Sequence, residues 1–192
     1  MSELGPGDAL LLVEMQRDFC PGGALPIPDG DRVVPVLNRW LRAARAQGVP
    51  VIASRDWHPP HHPSFREEGG PWPPHCLQDS EGARFHLRLE LPPDVLLVSK
   101  GTRYDRDQLS AFDETGLSAL LARLGVRRLF VGGLALDVCV LATALDAVRE
   151  GFAVRLVPGG ALPLTEEGAR TARERLRAAG VEDAKSSTGS AS

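Results

Sequence analysis

A cysteine, a lysine and two groups of acids and histidines carry most of the chemistry this chain can do. Cys139 ends the run Gly132-Gly133-Leu134-Ala135-Leu136-Asp137-Val138-Cys139. Leu129 to Val131 reads as a buried strand leading into the glycines. Val138, Leu141, Ala142, Leu145 and Val148 then recur at the spacings of a helix face. A cysteine where a strand gives way to a helix faces unpaired backbone N–H groups and the positive end of the helix dipole. Both favour the thiolate, the form that attacks a carbonyl carbon. The plain alternative is one more small buried apolar residue.

The other candidates also follow apolar runs. Glu14 follows Ala9-Leu10-Leu11-Leu12-Val13, and Lys100 comes soon after Val95-Leu96-Leu97-Val98. Asp56 and His58 come just after Val51-Ile52-Ala53. Among the 22 basic residues only Lys100 and Lys185 are lysine, and a lysine can shift its pKa and pass a proton where arginine cannot. A thiol, an ammonium and a carboxylate make a working unit. The acid takes the thiol proton, and the lysine charge stabilises the sulfur anion. All five histidines lie between His58 and His86. Asp56, His58, His62 and His75 form a mixed carboxylate and imidazole set that suits zinc, iron or manganese. The bland version of that set is a closed zinc site that only pins a long loop.

These groups need a scaffold that brings strand ends together. Strand-like runs at 9–13, 51–53, 95–98, 129–131, 152–157 and, briefly, 181–184 alternate with helical stretches at 31–47, 116–124 and 165–179. That alternation predicts an α/β fold: a three-layer α/β/α arrangement around a mainly parallel sheet. The C-terminal strand ends of such a sheet lie on one edge, so Glu14, Asp56, Lys100 and Cys139 should converge there. The Pro- and Gly-rich stretch around Trp72-Pro73-Pro74-His75-Cys76 reads as a pocket wall, not a linker.

The chain has 192 residues, which predicts one domain over 1–185, with the small polar run 186–192 as a flexible tail. Its 43% hydrophobic residues are ordinary for a globular protein, and its net charge of −3 offers nothing to nucleic acid or an anionic membrane. No run has the length of a membrane span, and the first residues lack the basic start of a signal peptide. Three cysteines without a regular framework fit a reducing cytoplasm. The expected partner is a small molecule, and homo-oligomerisation is left open.

The motifs taken together resemble the nicotinamidases of the isochorismatase-like hydrolase family. The resemblance rests on the segment from Leu12-Val13-Glu14 to Ala24-Leu25, on Asp56-Trp57-His58-Pro59, and on His62 with Ser64-Phe65. It continues through Trp72 to Cys76, Ser80-Glu81-Gly82-Ala83, Lys100-Gly101-Thr102, and Gly133 to Cys139, spanning about Leu10 to Val157 in order. It implies a six-stranded sheet and hydrolysis of nicotinamide to nicotinate and ammonia within NAD recycling, with pyrazinamide as an accepted analogue. By the same likeness, Cys139 is the nucleophile, Glu14 the proton shuttle and Lys100 the cationic partner. Asp56, His58, His62 and His75 hold one divalent metal, zinc first and iron or manganese as alternatives. Phe19 and Trp72 sandwich the ring. Backbone N–H groups at Ala135 and Cys139 form an oxyanion hole, with a cis peptide before Ala135.

Three positions depart from the family pattern. Its first acid is aspartate where this chain has Glu14, a pocket tyrosine is replaced by Leu109, and the usual threonine by Leu136. The longer acid predicts a slowed shuttle that Glu14→Asp would quicken. The changed pocket leaves open an amidase for another small amide or carbamoyl compound. A catalytically silent metal-binding homologue is the other alternative. A redox protein is the weakest reading, because the cysteines form no C-x-x-C pair.

Overall fold

A computed structural model describes residues 3–183; the expected tail at 186–192 lies outside the described residues. Six strands form one sheet: β1 (Asp8–Val13), β2 (Val51–Asp56), β3 (Leu96–Lys100), β4 (Arg128–Leu134), β5 (Ala153–Leu162) and β6 (Glu182–Asp183). Their order is β3-β2-β1-β4-β5-β6, and every pairing is parallel. The chain steps outward from β1 to β3, then returns to the other side of β1 as β4. The C-terminal ends of β1 and β4 therefore flank the point where the winding reverses, which is where open α/β sheets form a crevice.

β1 is buried along its whole length, as its unbroken apolar run requires. Leu10 and Leu12 pack against α1 (Val34–Ala46) through Leu37, Leu41 and Ala44. Ala9, Leu11 and Val13 face the opposite core, shared by α2 (Leu117–Arg123), α3 (Leu141–Arg149) and α4 (Glu166–Ala178). The alternation of side chains along a strand thus divides the molecule into two cores. Met15, Phe19, Cys20, Ile27, Cys76 and Ala83 join the α1 core, so the long loop after β2 is packed into that layer.

Some element boundaries differ from the sequence reading. A 3-10 turn (Gly30–Val33) precedes α1, whose first turn contains Pro35. Proline is accepted there because its missing N–H would have no intrahelical partner. β5 runs on past the expected end at Val157 to Leu162, with a bulge between its pairings at Val131 and Gly133. Thr165 caps α4 as its sequence suggests, accepting the Gly168 N–H at 2.9 Å. Among the described residues no helix is long and apolar enough to cross a membrane.

Candidate active site

The strand ends set the side chains in place. Glu14 leaves β1 with φ 49, a left-handed turn uncommon for a residue with a Cβ. It carries the carboxylate from the strand into the crevice, where it is 1% exposed. Gly133 lets β4 run hard against β1, since any Cβ at that position would collide with the Val13 carbonyl. The chain then passes through the cis peptide Leu134–Ala135 into a π-helical turn, Leu136–Val140, before α3 begins. Cys139 therefore sits inside an irregular turn and not at the clean α-helix start that the sequence suggests.

Lys100, at the end of β3, is the hub of the first group and is 1% exposed. Its Nζ donates to Asp56 Oδ1 at 2.6 Å and to the Gln108 carbonyl at 2.8 Å. It lies 2.8 Å from Glu14 Oε1 and 3.7 Å from Cys139 Sγ. Ligand-type atoms of Glu14, Asp56 and Cys139 lie within 4.8 Å of one another. A cation already stands among them in the form of the Lys100 ammonium. Burial would discharge Lys100, but Asp56, Cys139 and Glu14 hold its pKa well above the ordinary lysine value. Burial and the neighbouring Asp56 raise Glu14 to about 7, against the opposing pull of Lys100.

The thiol behaves differently from the sequence expectation. Burial and the facing Glu14 push the Cys139 thiol well above its usual value, and Lys100 only partly counters them. Cys139 is therefore protonated at rest, beside a carboxyl poised near neutrality. The sulfur anion has to form by handing its proton to Glu14.

The second group gathers at the same edge. Asp56 ends β2, and the following loop returns so that His58 N–H donates to the Cys76 carbonyl at 3.0 Å, bringing His75 close. Gly101 permits this closeness, because a Cβ there would strike the His58 ring. Asp56, His58 and His75 present ligand atoms within 4.8 Å of one another. Asp56 Oδ2 lies 3.6 Å from His58 Nε2 and 3.9 Å from His75 Nε2.

These residues fit a metal ion. His58 Nδ1 and His75 Nδ1 face the carbonyls of Gly101 and Pro73, each at 2.8 Å, so both carry the proton there and leave Nε2 bare. His58 Nε2 is buried without a hydrogen-bond partner. Burial lowers the pKa of His75 and takes that of His62 to about 4, keeping both rings neutral as ligation requires. Burial disfavours charge on Asp56 as well, yet Lys100 and His58 bring its pKa below the ordinary range.

His62 stands outside the three-residue group. Its ring centroid lies 4.2 Å from that of His58, and its buried Nε2 also has no partner. Its Nδ1 contacts Ser64 Oγ at 2.7 Å and also accepts the Ser64 N–H at 3.3 Å.

Both groups open on one cleft, a solvent-open space of about 430 Å³. Glu14, Asp56, His58, His75, Ala135 and Cys139 line it, together with Phe19 and Trp72. Because three metal-type side chains face this space, the set is not closed in the manner of a purely structural site.

A likeness in sequence now joins this geometry. The isochorismatase domain family matches residues 8–186. The chain belongs to the isochorismatase family. Within it, the nicotinamidase of Escherichia coli (strain K12) is 39% identical over 176 residues, covering 81% of this chain and 83% of that protein. A crystal structure of pyrazinamidase of Pyrococcus horikoshii in complex with zinc is 43% identical with a TM-score of 0.91, covering 94% of this chain and 99% of the other. A crystal structure of PnC1 from L. infantum in complex with nicotinate is 36% identical with a TM-score of 0.86, covering 95% and 94%.

Residues that sequence reasoning passed over also support or line this isochorismatase-family cleft. Gln16, fully buried, donates from Nε2 to the carbonyls of Asp56 at 2.7 Å and Ala83 at 2.8 Å, and its Oε1 accepts the Asp56 N–H at 2.7 Å. It fixes the backbone that aims Asp56. Leu25, Ile27, Asp107, Val138 and Leu164 complete the walls with Leu109. Asp137 brings Leu164 in by accepting its N–H at 2.7 Å. Polarity beside Glu14 was a visible signal for Gln16. The aliphatic wall residues look like any core residue in sequence.

Proposed function

We propose that this chain, through one domain spanning 1–185, hydrolyses nicotinamide to nicotinate and ammonia by way of a thioester on Cys139. The observation that carries the reading is the convergence of Cys139 and Glu14, backed by Lys100, with Asp56, His58 and His75 on one cleft bordered by Phe19 and Trp72. Similarity to a nicotinamidase, and to a protein solved with nicotinate, supports the substrate.

Cys139 gives its proton to Glu14 as sulfur attacks the amide carbon, and a pKa near neutrality suits Glu14 to both halves of that exchange. Backbone N–H groups at Ala135 and Cys139 hold the oxyanion. The C–N bond breaks as Glu14 returns the proton to nitrogen, and ammonia leaves. Water then attacks the thioester carbon and passes a proton to Glu14, and the C–S bond breaks to release the acid and restore the thiol. Lys100 keeps its charge and holds Glu14 and Asp56 in place throughout. Asp56, His58, His62 and His75 would hold one divalent metal, assigned first as zinc with iron or manganese suited to the same donors. When bound, that ion supplies a positive centre for a ring nitrogen and orders water. Phe19 and Trp72 hold the ring between aromatic faces.

A second substrate, another small amide, is favoured by one observation. Leu25, Ile27, Leu109, Val138 and Leu164 give the cleft an aliphatic wall. Ammonia release from nicotinamide, pyrazinamide and a panel of small amides tests both. A kcat/KM highest for nicotinamide supports the first reading, and one highest for an aliphatic amide supports the second.

A further inference from the structure

Gln108 lies between β3 and α2, flanked by the cleft residues Asp107 and Leu109. It is 3% exposed. Its side chain ties together two distant points of the segment. Nε2 donates to the Asp113 carbonyl at 2.6 Å, and Oε1 accepts the Thr102 N–H at 3.3 Å. Its own N–H donates to Asp107 Oδ1 at 2.8 Å. In the middle of that span, its carbonyl accepts from Lys100 Nζ at 2.8 Å. Nζ also contacts Asp56, Glu14 and Cys139, all groups the proposed reaction uses. The Gln108 carbonyl alone among these takes no part in the chemistry, so it can orient the ammonium without competing for a proton. The outer side of the segment is braced separately, by Arg103 with Asp105 and Glu114 and by Arg106 with Asp113 and Glu114, none of which touches Lys100.

We propose that Gln108 is a positioning residue. Its side-chain amide fixes the segment 102–113 so that its own carbonyl holds the Lys100 ammonium against Glu14 and Cys139. The kinetic part of this rests on the proposed role of Lys100, and the structural part does not.

The test uses Gln108→Met, which keeps the length and loses both side-chain hydrogen bonds. Because Lys100 and Lys185 are the only lysines, ¹⁵N-lysine labelling gives at most two ammonium signals in NMR. The Lys100 ammonium should exchange slowly in the wild type and about tenfold faster, or beyond detection, in the variant. For nicotinamide, kcat per folded molecule should fall about tenfold while KM stays within about twofold, a split that mere loss of folded protein does not produce. Gln108→Leu also removes both side-chain hydrogen bonds without adding a charge; it is read the same way if the methionine variant fails to fold. An unchanged ammonium signal in the folded variant overturns the proposal, as does an unchanged kcat. If the wild type releases no ammonia from nicotinamide, the substrate reading falls and the ammonium signal still decides the role of Gln108.

Discussion

Asp56 divides its two carboxylate oxygens between the two halves of the site. Oδ1 accepts from Lys100 Nζ at 2.6 Å, while Oδ2 faces His58 Nε2 at 3.6 Å and His75 Nε2 at 3.9 Å. One side chain thus connects the metal group to the nucleophile group. Asp56→Asn should lose both metal and turnover. His58→Ala should lose metal and leave the Lys100–Glu14 pair standing. Elemental analysis should find about one transition-metal ion per chain in the wild type, by analogy with open catalytic sites. Wild-type protein with no metal, whose activity ignores chelators, would contradict this.

Cys139 should be the first of the three cysteines to alkylate. All three thiols are buried, and burial pushes each above the ordinary range, Cys20 to about 11. Cys139 differs in lining the cleft and in having Glu14 beside it to take its proton. Its rate at neutral pH should be modest, below that of a free thiolate. Mass mapping after brief iodoacetamide treatment checks the order. Labelling of Cys20 or Cys76 first, with activity retained, would remove Cys139 from the mechanism.

The sheet edge was legible because parallel strands leave a plain trace. An unbroken apolar run ending at Glu14 marks β1, and one running into paired glycines marks β4, so the strand ends that carry Glu14 and lead to Cys139 are readable in the chain. The resting charge of Cys139 was not legible. It depends on how completely the loops bury the sulfur, and on a carboxylate arriving from a strand far away in sequence. His62 shows a similar limit, since its ligand spacing is visible in the chain but its contacts with Ser64 are not. Gln16 and Gln108 act through hydrogen bonds to main-chain groups, which have no residue type to read.

Turnover should depend on the ionisation of Glu14. Its folded pKa of about 7 lies above the ordinary carboxyl value, so the base form is lost as pH falls through neutrality. Activity should therefore rise with pH and level off above about 7, and the acid limb should vanish with the activity in Glu14→Gln. A kcat/KM profile flat between mildly acidic and neutral pH would contradict the assignment.

The longer acid is seated, with Oε1 2.8 Å from Lys100 Nζ. Glu14→Asp withdraws the carboxylate by about one carbon–carbon bond, and misplacement of about 1 Å costs roughly a hundredfold in rate. The geometry therefore predicts a lower kcat for Glu14→Asp with KM little changed, opposite to the gain expected from the sequence. A raised kcat would show that the glutamate is a handicap.

Trp72→Ala should weaken ring binding more than chemistry. Trp72 borders the cleft with Phe19 and touches none of the proton-transfer groups in the contacts described. Loss of one aromatic face, worth about 1 kcal/mol, should raise KM by roughly five- to tenfold and leave kcat within about threefold. A collapse of kcat at unchanged KM would place Trp72 in the reaction itself.

The most direct measurement is ammonia release from nicotinamide by metal-loaded wild type and Cys139→Ala side by side, with nicotinate quantified in the same samples. The account predicts one ammonia and one nicotinate per nicotinamide consumed by the wild type, at a kcat on the order of 1 s⁻¹ or more, and no turnover by the variant. Folded, metal-loaded wild type that releases no ammonia, or a Cys139→Ala enzyme that keeps pace with it, would contradict the account.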